Sequence, residues 1–283
     1  MTDFGATISY RTRERAEGVL IGAHRGRSTG GQGVFLDQVS YLRQPDPRRI
    51  DLRLTLRDPF ENVYVRRYEQ RLAIALCAIV DLSRSMRFEG TARKMTLVGD
   101  LCVSLARSAH ELGDAFGLVG CDTTIRDDFI FPATRHRATE AVIARQFRDF
   151  VPEQRSAAGL LDAARYLAGK RKLVFLISDF QFPLSETEAI LESMSRHDIV
   201  PIMVSDSAED SELPSFGLID LQDLESGAGK VAFMRPALRR RWHAAAEERR
   251  NQLGRLFLRY GRPPFELKDE FDAAALSRHL LET

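Results

Sequence analysis

The chain has 283 residues and a mass of 32.0 kDa, with 44% hydrophobic and 29% charged residues and a formal net charge of +1. That is room for one large domain, or a main domain with an appendage; the composition excludes disorder and collagen-like fibre, and the charge is too balanced for generic binding to polyanions. The longest apolar run, Leu72–Val80, falls far short of the roughly 20 residues of a membrane span, and the polar N-terminus has no signal-peptide pattern, so a cytoplasmic protein is expected.

Residues 1–17 are polar without a sustained period and read as an arm or first strand. The glycine-rich stretch Gly26–Gly33 lacks the Gly-Lys-Ser/Thr ending of a phosphate loop and has no helix after it, which favours a hairpin or loop. Three segments follow that alternate apolar with polar: Val34–Leu42, Ile50–Arg57 and Asn62–Tyr68. They predict a small antiparallel sheet, with Ile50, Leu52, Leu54 and Leu56 on its inner face. From Leu72 the texture changes to apolar runs of strand length alternating with helical patterns, the signature of α/β architecture. Leu72–Val80 reads as a parallel strand buried on both faces. The spacing then predicts a helix over about 93–112, a strand over 115–121, a second over 125–131, and helices over 139–150 and 159–167. Beyond these come core strands over 173–177 and 199–204 with a helix over 186–196 between them, an edge pair at 216–221 and 231–234, and a long helix over about 236–260. Cys77, Cys102 and Cys121 fit neither zinc spacing nor a disulfide framework, and read as buried, reduced thiols.

The sharpest constellation is Asp81-Leu82-Ser83-Arg84-Ser85-Met86, directly after the strand ending at Val80. Ligands of open parallel sheets bind beyond the carboxyl ends of the strands. A carboxylate and two hydroxyls at alternate positions of such a turn can converge as hard oxygen donors, suited to Mg²⁺, Mn²⁺ or Ca²⁺. Asp179 occupies the same place after the run Leu173–Ile177, so neighbouring strands would bring both aspartates to one rim. The competing reading of Asp81, Ser83 and Ser85 is turn formation and helix capping. No zinc-protease pair and no Gly-x-Ser-x-Gly elbow is present, which leaves hydrolase chemistry without support.

Asp81, Ser83 and Ser85 reproduce the Asp-x-Ser-x-Ser motif of the metal-ion-dependent adhesion site, and the chain resembles von Willebrand factor type A domains. With Gly22-Ala23-His24, Pro47-Arg48-Arg49-Ile50-Asp51, Val65-Arg66-Arg67-Tyr68-Glu69 and His197-Asp198-Ile199-Val200-Pro201, it resembles the bacterial domain of unknown function 58 family over about residues 18–260. The resemblance implies a three-layer von Willebrand factor A-like α/β domain with a mostly parallel sheet over 70–262, a β-rich segment over 1–69 packed onto it, and a C-terminal tail over 263–283. It implies a divalent cation on Asp81, Ser83 and Ser85, with Asp179 acting through water. The third family element is usually a Thr. Here Ala158 stands about where it belongs, and Ser156 is the substitute hydroxyl if the loop is offset. The implied role is binding rather than catalysis: an adaptor or co-chaperone that links a MoxR-type AAA+ ATPase to an unidentified client, of which methanol dehydrogenase maturation is one setting. A degenerate, metal-free interaction protein and a metal-dependent hydrolase are the alternatives. Residues 181–229 carry eleven acids and one base, whereas residues 235–262 carry nine arginines; near-neutral total charge disfavours nucleic acid as the partner.

Overall fold

The computed structural model describes residues 7–13, 21–211, 216–222 and 229–283; part of the expected 1–17 arm therefore lies outside the described residues. The chain divides into two compact units, residues 14–74 and residues 1–13 with 75–283.

In the smaller unit, β1 (Ile21–Ser40) carries the glycine-rich stretch within it. After a 3-10 turn at Pro47–Arg49 comes α1 (Leu52–Thr55), and then β2 (Tyr64–Leu72), which pairs antiparallel with β1 through several register shifts. The strand expected over 50–57 does not form. Only Ile50 bridges to Val65, and the Asp51 carboxylate caps a helical turn instead, accepting from Arg53 N at 3.1 Å and Leu54 N at 3.2 Å. Leu52 and Leu56 are 68% and 84% exposed. Their alternation faced no core, and the capping aspartate supplied the local interaction that decides the conformation.

The larger unit begins with β3 (Ala75–Asp81), so the apolar run Leu72–Val80 is divided between the two units. It continues through α2 (Lys94–Leu112), closed by Gly113 at φ +77°, where a side chain would be strained, and β4 (Ala115–Cys121). Then come β5 (Ile125–Thr134), α3 (Ala138–Asp149), α4 (Gly159–Asp162), β6 (Leu173–Ser178) and α5 (Leu184–Ser193). The remaining elements are β7 (Asp198–Ser205), α6 (Ser207–Ser211), β8 (Gly217–Gln222), β9 (Gly229–Met234), α7 (Pro236–Arg259), β10 (Phe265–Lys268) and α8 (Ala273–Glu282). Six strands form one sheet in the order β10-β7-β6-β3-β4-β5, parallel except for β5. One face, through Cys77, Ile79, Val119, Val174 and Leu176, buries against α4, α5 and α7. α2 and α3 pack together, and α2 packs on β4, completing the three-layer α/β fold with its mostly parallel sheet. Among the described residues β8 and β9 pair antiparallel in a two-stranded sheet of their own, so the two expected strands pair but do not edge the main sheet, whose edges are β10 and β5. All three cysteines are free and buried.

Both chain ends differ from expectation. Residues 7–13 belong to the larger unit, with Ile8 N donating to Ser108 Oγ at 2.8 Å and the Tyr10 hydroxyl to Asp114 at 2.7 Å. Residues 263–283 are not a tail: β10 extends the sheet beside β7, and α8, capped by Asp272, buries Ala273, Leu276 and Leu280. Four-residue strands and single capping turns give too short a period to read from sequence.

The chain leaves β3 toward β4 on one side, whereas its neighbour β6 leads to β7 on the other. The carboxyl ends of β3 and β6 therefore flank the point where strand order reverses, the place where such sheets open a crevice.

Candidate functional site

The register pairs Val80 with Ile177, so Asp81 at the end of β3 stands level with Ser178, and Asp179 follows one residue on. The two aspartates meet at one rim. The Asp81 carboxylate is fully buried; its Oδ1 accepts from Ser83 N at 2.8 Å and its Oδ2 from the Ser178 hydroxyl at 2.5 Å. The Ser83 and Ser85 hydroxyls lie 3.2 Å apart, and Ser85 Oγ donates to Asp179 Oδ1 at 3.1 Å. Since each hydroxyl has one proton, Ser83 donates to Ser85 and Ser85 to Asp179. Asp81, Ser83, Ser85 and Asp179 thus form a single hydrogen-bonded constellation, as the Asp-x-Ser-x-Ser spacing predicts. The backbone builds it locally: a 3-10 turn over Arg84–Arg87 follows Ser83, and Leu82 N donates to Cys121 O at 2.7 Å, holding the turn on the sheet. On the β6 side, Phe180 takes φ +52°, rare for an aromatic residue, and its N–H donates to Ser178 Oγ at 2.9 Å.

Ser156 is not brought into this constellation. Its hydroxyl accepts from Ala158 N at 3.1 Å within its own turn, although Arg84 N donates to Gln154 O at 2.6 Å and brings that loop against the serine turn.

Three members were not singled out from sequence. Ser178 bridges Asp81 to the β6 turn. Lys94, at the start of α2 with its side chain 1% exposed, donates from Nζ to Asp179 Oδ2 at 3.1 Å and pairs with Glu209 Oε1 of α6 at 2.6 Å. The signal for Lys94 was present: with Val98, Leu101 and Leu105 it lies on one stripe of α2, a cation on an otherwise apolar face.

Electrostatically the two aspartates differ. Burial, then the neighbouring Asp179 charge, pushes the Asp81 carboxyl up to about 6, against hydrogen bonds from Ser178 and Ser83 that favour the ionised form. Among the described residues no cation pairs with Asp81. Burial disfavours the Lys94 ammonium, yet the Asp179 and Glu209 charges beside it hold its pKa above the ordinary lysine value. Ser85 and Asp179 open onto a cavity of about 800 Å³, walled on the α7 side by Arg241, Trp242 and Arg249.

Among the described residues no group of three or more His, Cys, Asp or Glu is placed to hold a metal ion. The donor set is instead two carboxylates and two hydroxyls, all hard oxygens. It fits a hard divalent cation on one further ground: among the described residues the buried Asp81 carboxylate has no cationic side chain paired with it.

The family described as "Protein of unknown function DUF58" matches residues 40–252. An uncharacterized protein of Mycobacterium tuberculosis is 26% identical, over 94% of this chain and 84% of its own length. A Paracoccus denitrificans protein described as an uncharacterized protein in the moxR 3' region is 30% identical over 104 residues, 37% of this chain and 99% of its own length. Among solved structures, the conserved hypothetical protein BatB from Bacteroides thetaiotaomicron is similar with a TM-score of 0.45 and 10% identity, over 74% of this chain and 98% of that one.

Proposed function

The chain belongs to the DUF58 family, and from that premise we propose that it is a protein-binding adaptor of a MoxR-type AAA+ ATPase, docking its partner at the Asp81–Asp179 rim. The observation that carries the reading is the convergence of Asp81, Ser83, Ser85 and Asp179 at the strand-order reversal, with the Asp81 charge unbalanced. Asp81, Ser83 and Ser85 would hold a divalent cation, Mg²⁺ before Mn²⁺ or Ca²⁺, and Asp179 would act from further out. When bound, such an ion supplies a strong contact for a carboxylate of a partner protein and offsets the buried negative charge. Ser178 and Ser83 N–H orient the Asp81 oxygens, Ser85 orients Asp179, and the cavity beside them gives a partner side chain its way in. The moxR-adjacent Paracoccus relative supports the identity of the ATPase. The client would be a protein whose assembly or metal insertion the motor promotes, and the role is binding rather than turnover.

Calorimetric titration with Mg²⁺, Mn²⁺ and Ca²⁺ tests the ion: wild type binds, and Asp81→Ala loses binding. Capture of a MoxR-type AAA+ ATPase, lost on adding chelator, tests the partner. Phosphatase or protease turnover that depends on Asp81 would replace the reading with an enzymatic one. A metal-free version of the same docking face is the second reading, and the ammonium of Lys94 inside the constellation is the observation that favours it.

A further inference from the structure

Lysine is almost never fully buried without a partner, because removing an ammonium from water is costly unless opposite charge replaces the lost hydration. Lys94 is 1% exposed and enclosed on three sides: Asp179 Oδ2 at 3.1 Å, Glu209 Oε1 at 2.6 Å, and the Phe88 ring with its centroid 5.8 Å away. Only five of the 41 basic residues in the chain are lysine, so the compact ammonium stands here in a sequence that otherwise uses guanidinium.

The consequence for Asp179 is specific. One carboxylate oxygen takes the Ser85 hydroxyl and the other takes Lys94 Nζ, so this aspartate is already hydrogen-bonded and charge-balanced from within the chain. The bonds Ser83–Ser85, Ser85–Asp179 and Lys94–Asp179 link these side chains to one another directly. Lys94 is shared between the Asp179 and Glu209 carboxylates, and the buried Asp81 carboxylate pairs with no cation among the described residues, so the rim is short of positive charge. A dication makes up that deficit, but it has to enter beside a positive charge already bound to one of its intended ligands.

We propose that Lys94 is the resident counter-ion of the paired-aspartate rim: it holds the site in its folded geometry without metal, and a divalent cation binds only against its repulsion. The inference rests on the reading of this rim as a cation site and adds how that site is regulated. Metal then tunes partner binding rather than folding, and affinity for the ion is set low by Lys94 and the missing third-element hydroxyl together.

The test compares wild type, Lys94→Met and Asp81→Ala, full chain, by thermal unfolding in EDTA and in Mg²⁺ and by calorimetry with Mg²⁺ and Mn²⁺. Wild type is expected to unfold only slightly lower in EDTA than in Mg²⁺, since a weakly bound ion adds little stability. Lys94→Met is expected to unfold several degrees lower in EDTA, to recover with Mg²⁺, and to bind the ion roughly tenfold or more tightly than wild type, since one nearby positive charge has gone. Ion binding by Lys94→Met with none detectable in wild type supports the counter-ion role while removing metal dependence from the native protein. Equal affinity in wild type and Lys94→Met overturns the proposal and leaves the cation site standing. Absence of binding in both overturns the two together. Should Lys94→Met fail to fold in every condition, wild type decides: a large loss of stability in EDTA shows that metal, not Lys94, holds the rim.

Discussion

Ser178 carries two bonds with one hydroxyl, donating to Asp81 Oδ2 and accepting from Phe180 N, so it fixes the nearer carboxylate and the left-handed turn at once. Ser178→Ala is expected to cost about 1–3 kcal/mol in urea unfolding, because a buried carboxylate oxygen and a buried N–H both lose their partner. The same variant should weaken Mg²⁺ binding in calorimetry without abolishing it, in contrast to Asp81→Ala. At this scale the sequence was informative where chemistry and position coincide. Asp81 and Asp179 each end an apolar run, and the two serines sit at alternate positions after the first. Ser178 stayed hidden because a serine beside a capping aspartate has an ordinary turn-forming explanation. Lys94 stayed hidden because a lysine at a helix start reads as solvated until the stripe it shares with Val98 and Leu101 is seen to face inward.

Asp206, just past β7, shows an element held by its end. Its carboxylate accepts from Thr91 N at 3.0 Å, Ala92 N at 2.9 Å and Ala208 N at 2.8 Å, tying the segment before α2 to the start of α6. Burial opposes its ionisation, but these backbone donors prevail and lower its pKa to about 2. A carboxyl held below its unfolded value adds stability above about pH 4 that is lost as pH falls toward 2. Thermal unfolding from pH 5 down to 2 should show this loss in wild type and a smaller pH dependence in Asp206→Asn. The long elements α2 and α7, and the apolar core of β3, β6 and β7, were legible from period and run length. The segment 50–57 was not: Leu52, Leu54 and Leu56 satisfy a strand pattern, whereas the outcome was decided by Asp51, held by Gln38 at 2.6 Å and Arg66 at 2.8 Å. Those partners lie 13 and 15 residues away, beyond the reach of any local pattern.

At the scale of the larger unit, both chain ends converge on one ion pair. Arg262, fully buried, reaches both oxygens of Asp198 at the start of β7, at 3.1 and 3.0 Å, and donates to Arg11 O at 3.0 Å and Leu280 O at 3.4 Å. Asp198 also accepts from Arg13 N at 2.9 Å. Arg262→Ala leaves a buried aspartate uncompensated and is expected to cost about 3–5 kcal/mol, read from the denaturant midpoint, with residues 7–13 and α8 losing amide-exchange protection first. The alternation of apolar runs with helical patterns could announce an α/β sheet, but not that residues 263–283 complete it, since that depends on a pairing between β10 and β7 that no short window contains. The enclosed cysteines give this unit a readout of its own. Cys77, Cys102 and Cys121 are sealed in the interior, and burial drives their thiols upward, Cys77 to about 12, so the reactive thiolate is scarce while the protein stays closed. A thiol-specific dye added to the native protein therefore colours only molecules that have opened. Because Cys121 lies opposite Asp81 on the neighbouring strand, its labelling rate clocks excursions of the rim itself, with no probe to engineer.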